Sequence, residues 1–335
     1  MIWRLLEGDA RARLAELEAG SVDCVVTSPP YWGLRDYGHD RQIGIEASPV
    51  LYVSALLEVF GELWRVLRAD GTAWLNLGDS YAGGSGRWGS YESMAPCKQS
   101  TNRGSHRQTI KSVPVDLKEK DLIGIPWRVA FALQAAGWYL RSDIVWAKPN
   151  PMPESVTDRP TKSHEYIFLL TKSARYFFNA DAIRSPYARE WGDTNIGPNN
   201  HSSTGIRAGQ VLGRDAMPHG GLAASMPNGK GANVRSVWSI ATEAGSFEHY
   251  ATMPRAIVRR CVLGGSPFGG LVLDPFAGVA TTGSVALEEG RSFVGIELNP
   301  KYCAMARARL AGVAPLFARE APLESPALVR LEGLE

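Results

Sequence analysis

The sequence predicts an α/β fold, a doubly wound and mostly parallel sheet, and three features predict it. Strand and helix patterns alternate in both the N-terminal and the C-terminal parts of the chain. A mostly apolar run at residues 22–27 stops abruptly at Ser28-Pro29-Pro30-Tyr31. Gly270-Leu271-Val272-Leu273-Asp274 reads as a buried strand that runs into a glycine turn at Ala277-Gly278.

The elements follow in order. Residues 2–7 form a strand, 10–18 a helix and 22–27 a second strand, together a βαβ unit. Ser48 and Pro49 open a helix over 49–68 that carries Tyr52, Leu56, Val59, Leu63 and Val66 on one face and closes near Gly71. A stripe that apolar has to lie on a sheet. A strand at 72–77, a helix at 122–136 and strands at 139–146 and 166–170 come next. Beyond Pro254 a helix runs to about 263, the strand ending at Asp274 follows, and a helix at 281–289, a strand at 292–297 and a helix at 300–310 complete the pattern. Residues 313–335 read as a loosely attached tail.

With 335 residues, 44% hydrophobic and 21% charged, the chain supports one large core or two smaller ones. A net charge of +2 means that a nucleic-acid partner must be met by a local patch. The most apolar neighbourhood, residues 122–140, is broken by Pro126, Arg128 and Gln134, short of the roughly 18 to 20 residues of a membrane span. Asp9 interrupts the apolar start that a secretory leader needs, so a soluble, cytoplasmic protein with no membrane partner is expected. Cys24, Cys97, Cys261 and Cys303 are scattered and form no metal-ligand spacing, so no metal is expected; Cys24 reads as a small buried residue, not a nucleophile.

Two polar stretches interrupt the rhythm. Residues 81–113 carry Arg87, Lys98, Arg103, Arg107 and Lys111 against Glu92, and residues 184–235 carry six cations against Glu190, Asp193 and Asp215. Neither can build much core. Either they are plain surface insertions or they are basic arms that order on a polyanion, with Arg87, Arg103, Arg107, Lys111, Arg207 and Arg214 as the candidate phosphate contacts. The expected organisation is a catalytic half (1–80 and 114–183), a basic insertion (81–113), a target-recognition region (184–235), a cofactor half (236–312) and the tail (313–335).

Two constellations carry chemistry. A strand ends in Asp274, the turn Gly278-Val279-Ala280-Thr281-Thr282 follows, and Glu297 stands at the end of the next strand, where a carboxylate can accept from both ribose hydroxyls. With Ala280 where a dinucleotide fingerprint has its middle glycine, the turn suits a cofactor with a ribose but no phosphate. The alternative is a connection whose glycines serve packing alone. At the other end, Ser28 and the Pro29 carbonyl offer acceptors to an amino group. The amine of a nucleobase is a poor nucleophile because its lone pair is delocalised into the ring. Hydrogen bonds from its protons to Ser28 Oγ and Pro29 O localise that lone pair, and Tyr31 can stack on the extruded base. The alternative here is a proline-stiffened turn over buried aromatics.

Thr27-Ser28-Pro29-Pro30-Tyr31 together with Asp274-Pro275-Phe276-Ala277-Gly278 closely resembles the motifs of the S-adenosylmethionine-dependent amino DNA methyltransferases, in the β-class order with the catalytic motif first. Gly8-Asp9, residues 77–81, residues 121–127, Lys148-Pro149-Asn150, residues 163–166 and residues 249–254 are further family-like pieces, so the resemblance covers almost the whole chain. It implies a Rossmann-like sheet in circularly permuted order, in-line methyl transfer from S-adenosylmethionine without a metal, and double-stranded DNA as substrate. Ser28, Pro29, Pro30 and Tyr31 become the catalytic set, and Asp9, Thr27, His249, Thr252, Asp274, Phe276, Ala277, Gly278, Thr281, Thr282, Glu297 and Asn299 the cofactor set. Asp9 would lie beside the adenine and also cap the following helix. Where the family usually has Gly-Ser-Gly-Thr-Thr, this chain has Val279-Ala280 after Gly278. Serine at the first motif position resembles the cytosine-N4 branch, and adenine N6 is the alternative. A cognate restriction endonuclease and a homodimer are the protein partners that the resemblance allows. Trp32 and Trp74 read as core or wall aromatics and His164 as structural. Three competing readings remain: methylation of structured RNA or a protein amide, a non-catalytic DNA-binding module with a degenerate cofactor pocket, and a nicotinamide dehydrogenase.

Overall fold

The computed structural model describes residues 1–34, 41–82, 117–186, 231–243, 253–313 and 318–321. In chain order the elements are β1 (Ile2–Glu7), α1 (Ala10–Leu14), β2 (Val22–Thr27), α2 (Pro49–Val66), β3 (Leu67–Leu77), α3 (Ile125–Ala135), β4 (Tyr139–Ala147), β5 (His164–Thr171), β6 (Val237–Ser239), α4 (Arg255–Gly265), β7 (Leu271–Asp274), α5 (Thr281–Glu288), β8 (Ser292–Glu297), α6 (Pro300–Ala311) and β9 (Arg319–Glu320). The chain divides into one compact unit formed by Met1–Asn179 and Arg235–Glu335 and a second formed by Ala180–Val234.

The described strands make one nine-stranded sheet in the order β6-β4-β5-β3-β2-β7-β8-β1-β9. It is mostly parallel, as expected; β5 alone among the described strands runs antiparallel to both neighbours, β3 and β4. The paired strands β1, β8, β7, β2 and β3 are all parallel, so their C-terminal ends share one edge. Thr27, Asp274 and Glu297 each end a strand on that edge, where open α/β sheets bind ligands.

Local chemistry explains the boundaries. Ser48 caps α2 by accepting from the Leu51 amide at 3.3 Å, with Pro49 at the first helical position. Tyr52, Leu56, Val59, Phe60, Leu63 and Val66 are buried along the face of α2 that joins the main core. Gly283 on α5 leaves room for close packing on β8, because a Cβ there would lie 2.5 Å from the Phe293 ring.

Several expected boundaries are corrected. The helix after Asp9 ends at Leu14, short of residue 18. β3 begins at Leu67, directly from the end of α2, and β5 begins at His164. The edge strand β6 and the pairing of β9 with Ile2 and Trp3 were not anticipated, for two or three residues carry too little periodicity to read. So residues 319 and 320 of the expected tail join the sheet. Cys24, Cys261 and Cys303 are buried thiols, and burial pushes Cys24 up to about 12. Trp74 is a core aromatic that stacks on Phe178, and Trp32 is buried with its ring nitrogen donating to the Glu46 carbonyl.

Candidate active site

One cleft on the shared edge, with a volume of about 290 Å³, is lined by both sequence constellations: Ser28 to Tyr31 on one side, and Asp274 to Val279 with Ile296 to Pro300 on the other. Asp9, Thr281, Thr282 and Asn299 also line it.

On the wall formed by the ends of β7 and β8, Asp274 is a junction. Its Oδ1 accepts from Thr27 Oγ1 at 2.7 Å and from the Phe276 amide at 3.1 Å, while Oδ2 accepts from Thr282 Oγ1 at 2.8 Å. Burial pushes its carboxyl up to about 6, against the pull of those three donors. Glu297 is also raised by burial and accepts from the Asn299 amide at 2.7 Å and the Gly278 amide at 2.8 Å. A carboxylate has about four lone-pair positions, so Glu297 keeps acceptor capacity for the cleft. Asp9 caps α1 by accepting from the Arg11 and Ala12 amides and pairs with the Arg11 side chain. Burial opposes the charge, yet those contacts hold its carboxyl below the usual value. The turn between β7 and α5 is left-handed at Gly278 (φ 53°) and at Ala280 (φ 57°), a conformation that costs a non-glycine residue roughly 1–2 kcal/mol.

On the other side, the Pro30 carbonyl is taken by the Tyr52 hydroxyl at 2.8 Å. The Pro29 carbonyl accepts no hydrogen bond from the described residues. Gly78 makes space for the Tyr31 ring, since a Cβ there would stand 2.6 Å from Tyr31 Cε2. The Tyr31 hydroxyl lies 3.4 Å from Ser28 Oγ, donates to Glu165 Oε2 at 2.6 Å and accepts from Asn76 Nδ2 at 2.9 Å. Lys148 is ion-paired with Glu165. Burial drives the Tyr31 phenol well above its ordinary range, so it stays protonated.

Thus the expected site residues Asp9, Thr27, Ser28, Pro29, Pro30, Tyr31, Asp274, Phe276, Ala277, Gly278, Thr281, Thr282, Glu297 and Asn299 are brought to one place, Thr27 through its bond to Asp274 and the others along the cleft wall. His249, Thr252, Arg87, Arg103, Arg107, Lys111, Arg207 and Arg214 lie outside the described residues. His164 packs edge-on against Tyr166. Sequence reasoning gave no role to Asn76, Lys148 or Glu165. The signal for Asn76 was a polar residue in a buried strand; Lys148 and Glu165 stood in family-like segments without an assigned partner.

The cleft's donor set fits the implied cofactor. Among the described residues three carboxylates, Asp9, Asp274 and Glu297, line it with one guanidinium, Arg41, a balance that favours a cationic ligand carrying hydroxyls over a phosphate.

Comparison with known proteins places the chain in a family. The N6/N4 DNA methylase family matches residues 22–308. The chain is 44% identical to the type II methyltransferase M.Cfr9I of Citrobacter freundii, over 92% of this chain and 87% of that protein. It is 44% identical to M.SmaI of Serratia marcescens, over 92% and 90%. Among solved structures, the cytosine-N4-specific PvuII DNA methyltransferase aligns with a TM-score of 0.58 at 15% identity, covering 95% of this chain and 94% of that one. A DNA modification methylase of Thermus thermophilus, solved with S-adenosyl-L-methionine, aligns with a TM-score of 0.56 at 22% identity, covering 95% and 99%. The proline-proline-tyrosine turn, the acid-ended strands beside it and the near full-length match to type II enzymes point the same way: this chain belongs to the N6/N4 DNA methylase family and is a DNA methyltransferase.

Proposed function

We propose that the chain methylates N4 of a cytosine extruded from double-stranded DNA, using S-adenosylmethionine. The observation that carries the reading is the Asp274 junction, which fastens the strand leading to Ser28 to the turn beside Glu297 and so sets an amino-group acceptor and a ribose acceptor on one cleft. The PvuII enzyme, cytosine-N4-specific by name, has the same fold, and Ser28 stands at the first motif position here.

When bound, S-adenosylmethionine supplies a methyl group made electrophilic by the positive charge on its sulfur. The chain's residues bind and orient. Glu297 accepts from the ribose hydroxyls, Asp9 and the apolar wall at Ile296 and Leu298 hold the adenine, and the carboxylates favour the ligand's positive charge. Ser28 Oγ and the Pro29 carbonyl accept hydrogen bonds from the two amino protons and so turn the nitrogen lone pair out of conjugation. Tyr31 stacks on the base, offsetting part of the few kcal/mol that extrusion costs. The rate comes from holding the nitrogen in line with the methyl carbon.

The recognition region is assigned to residues 184–235 and backbone phosphate contacts to the basic cations of both insertions. The chain order, with the catalytic strand β2 ahead of the cofactor strand β7, is read as a circular permutation. The type II relatives support a place beside a restriction endonuclease of matching specificity in a bacterial cytoplasm. Nucleoside mass spectrometry after incubating unmethylated DNA with the protein and S-adenosylmethionine tests the reading. N4-methylcytosine is expected. N6-methyladenine overturns the choice of base, and the absence of any methylated amino group overturns the activity.

A further inference from the structure

The donor and acceptor directions around Tyr31 are fixed from one end. Glu165, paired with Lys148, can only accept as a carboxylate, and its side chain is 14% exposed. The 2.6 Å contact to Tyr31 therefore uses the phenol proton, at a length typical of a bond from a hydroxyl to a charged oxygen. Asn76 must turn its Nδ2 toward Glu165, where it donates at 3.0 Å, and its Oδ1 is left buried without a partner among the described residues. That orphaned oxygen shows which end of the amide the carboxylate dictates. The Tyr31 oxygen, its proton spent, can only accept, from Asn76 at 2.9 Å and from Ser28 at 3.4 Å. Asn76 Nδ2 also faces Ser28 Oγ at 3.4 Å and offers it no acceptor. Among the described residues the Ser28 proton therefore has one side-chain acceptor within reach, Tyr31, and with Asn76 Nδ2 on one lone pair of Ser28 Oγ the other is left for the cleft.

We propose that Glu165 is a positioning residue that sets the polarity of Ser28: through Tyr31 it draws the serine proton away from the substrate, so that Ser28 meets the base as an acceptor. The proposal rests on the reading of Ser28 as the acceptor for the substrate amino group. A serine free to rotate would point its proton at the amino nitrogen and occupy the lone pair that has to attack. Lys148 is ion-paired with Glu165 and is itself held over the Trp146 ring, 4.4 Å from its centroid.

Single-turnover methylation at saturating cofactor and DNA, measured for wild type, Glu165→Gln, Tyr31→Phe and the double variant, tests it. Glutamine at 165 can donate to Tyr31 and release the phenol proton toward Ser28. The expected result is a rate about 10- to 100-fold lower in each single variant, with cofactor and DNA affinities unchanged. The double variant is expected to be no slower than Tyr31→Phe alone, because the influence of Glu165 passes through the phenol. Wild-type rates in Tyr31→Phe, or losses that multiply in the double variant, overturn the proposal. If Glu165→Gln fails to fold, Tyr31→Phe decides alone, since it leaves the Glu165–Lys148 pair in place. Wild-type protein that methylates no amino group overturns the functional reading itself, a result distinct from active wild type with indifferent variants.

Discussion

Thr27 and Asp274, separated by 247 positions in the chain, meet at 2.7 Å, hydroxyl to carboxylate, on neighbouring parallel strands. Because Thr282 holds the other oxygen of the same carboxylate, one side chain registers the turn at Ser28 against the start of α5. The two motifs of this methyltransferase are joined by that contact as well as by the sheet.

The junction has a pH signature. Asp274 ionises at about 6 in the folded chain against 3.8 in its ordinary state, so between those values the folded protein binds more protons than the unfolded one. Stability from this group is whole below about 4 and is lost as pH rises through about 6, by roughly 3 kcal/mol. Urea unfolding of wild type and Asp274→Asn across pH 4 to 7 reads this directly: the stability gap between them is expected to change by about that amount, and a constant gap contradicts it.

Gly78 is expected to tolerate no side chain. Gly78→Ala drives a methyl into the Tyr31 ring, which cannot retreat while its hydroxyl is tied to Glu165 and Asn76. Methyl transfer should fall about tenfold or more while calorimetric cofactor affinity holds, since a displacement near 1 Å at a reacting group costs on that order. Unchanged turnover contradicts the placement of Tyr31.

Glu297 is the expected anchor of the ribose. Glu297→Ala removes two hydrogen bonds to a charged acceptor and should weaken S-adenosylmethionine binding about 10- to 100-fold in calorimetry. It also frees the Gly278 amide that the carboxylate now holds. Affinity equal to wild type removes Glu297 from the cofactor site.

How much of this was legible in the sequence follows from where the information sits. The strand-end acids Asp274 and Glu297 and the turn at Ser28 could be read because each has a local pattern, an apolar run meeting glycine or proline. Their pairing with Thr27, Gly278 and Thr282 could not, for register across parallel strands is set by packing far from either motif. Asn76, Lys148 and Glu165 escaped for the same reason: they come from β3, from the residue just past β4 and from β5, which meet only because β5 reverses between the other two strands. The expectation for Asp274 also shifts in kind, since its carboxylate is engaged by the chain's own Thr27, Thr282 and Phe276.

In the proposed reading one cleft holds a cofactor subsite and a separate base subsite floored by Tyr31. The most direct measurement is the single-turnover methylation rate of Tyr31→Ala with cofactor affinity determined on the same preparation. A rate at least about 100-fold below wild type is expected, with S-adenosylmethionine affinity nearly unchanged. A wild-type rate, or a loss of cofactor affinity as large as the loss of rate, contradicts the claim.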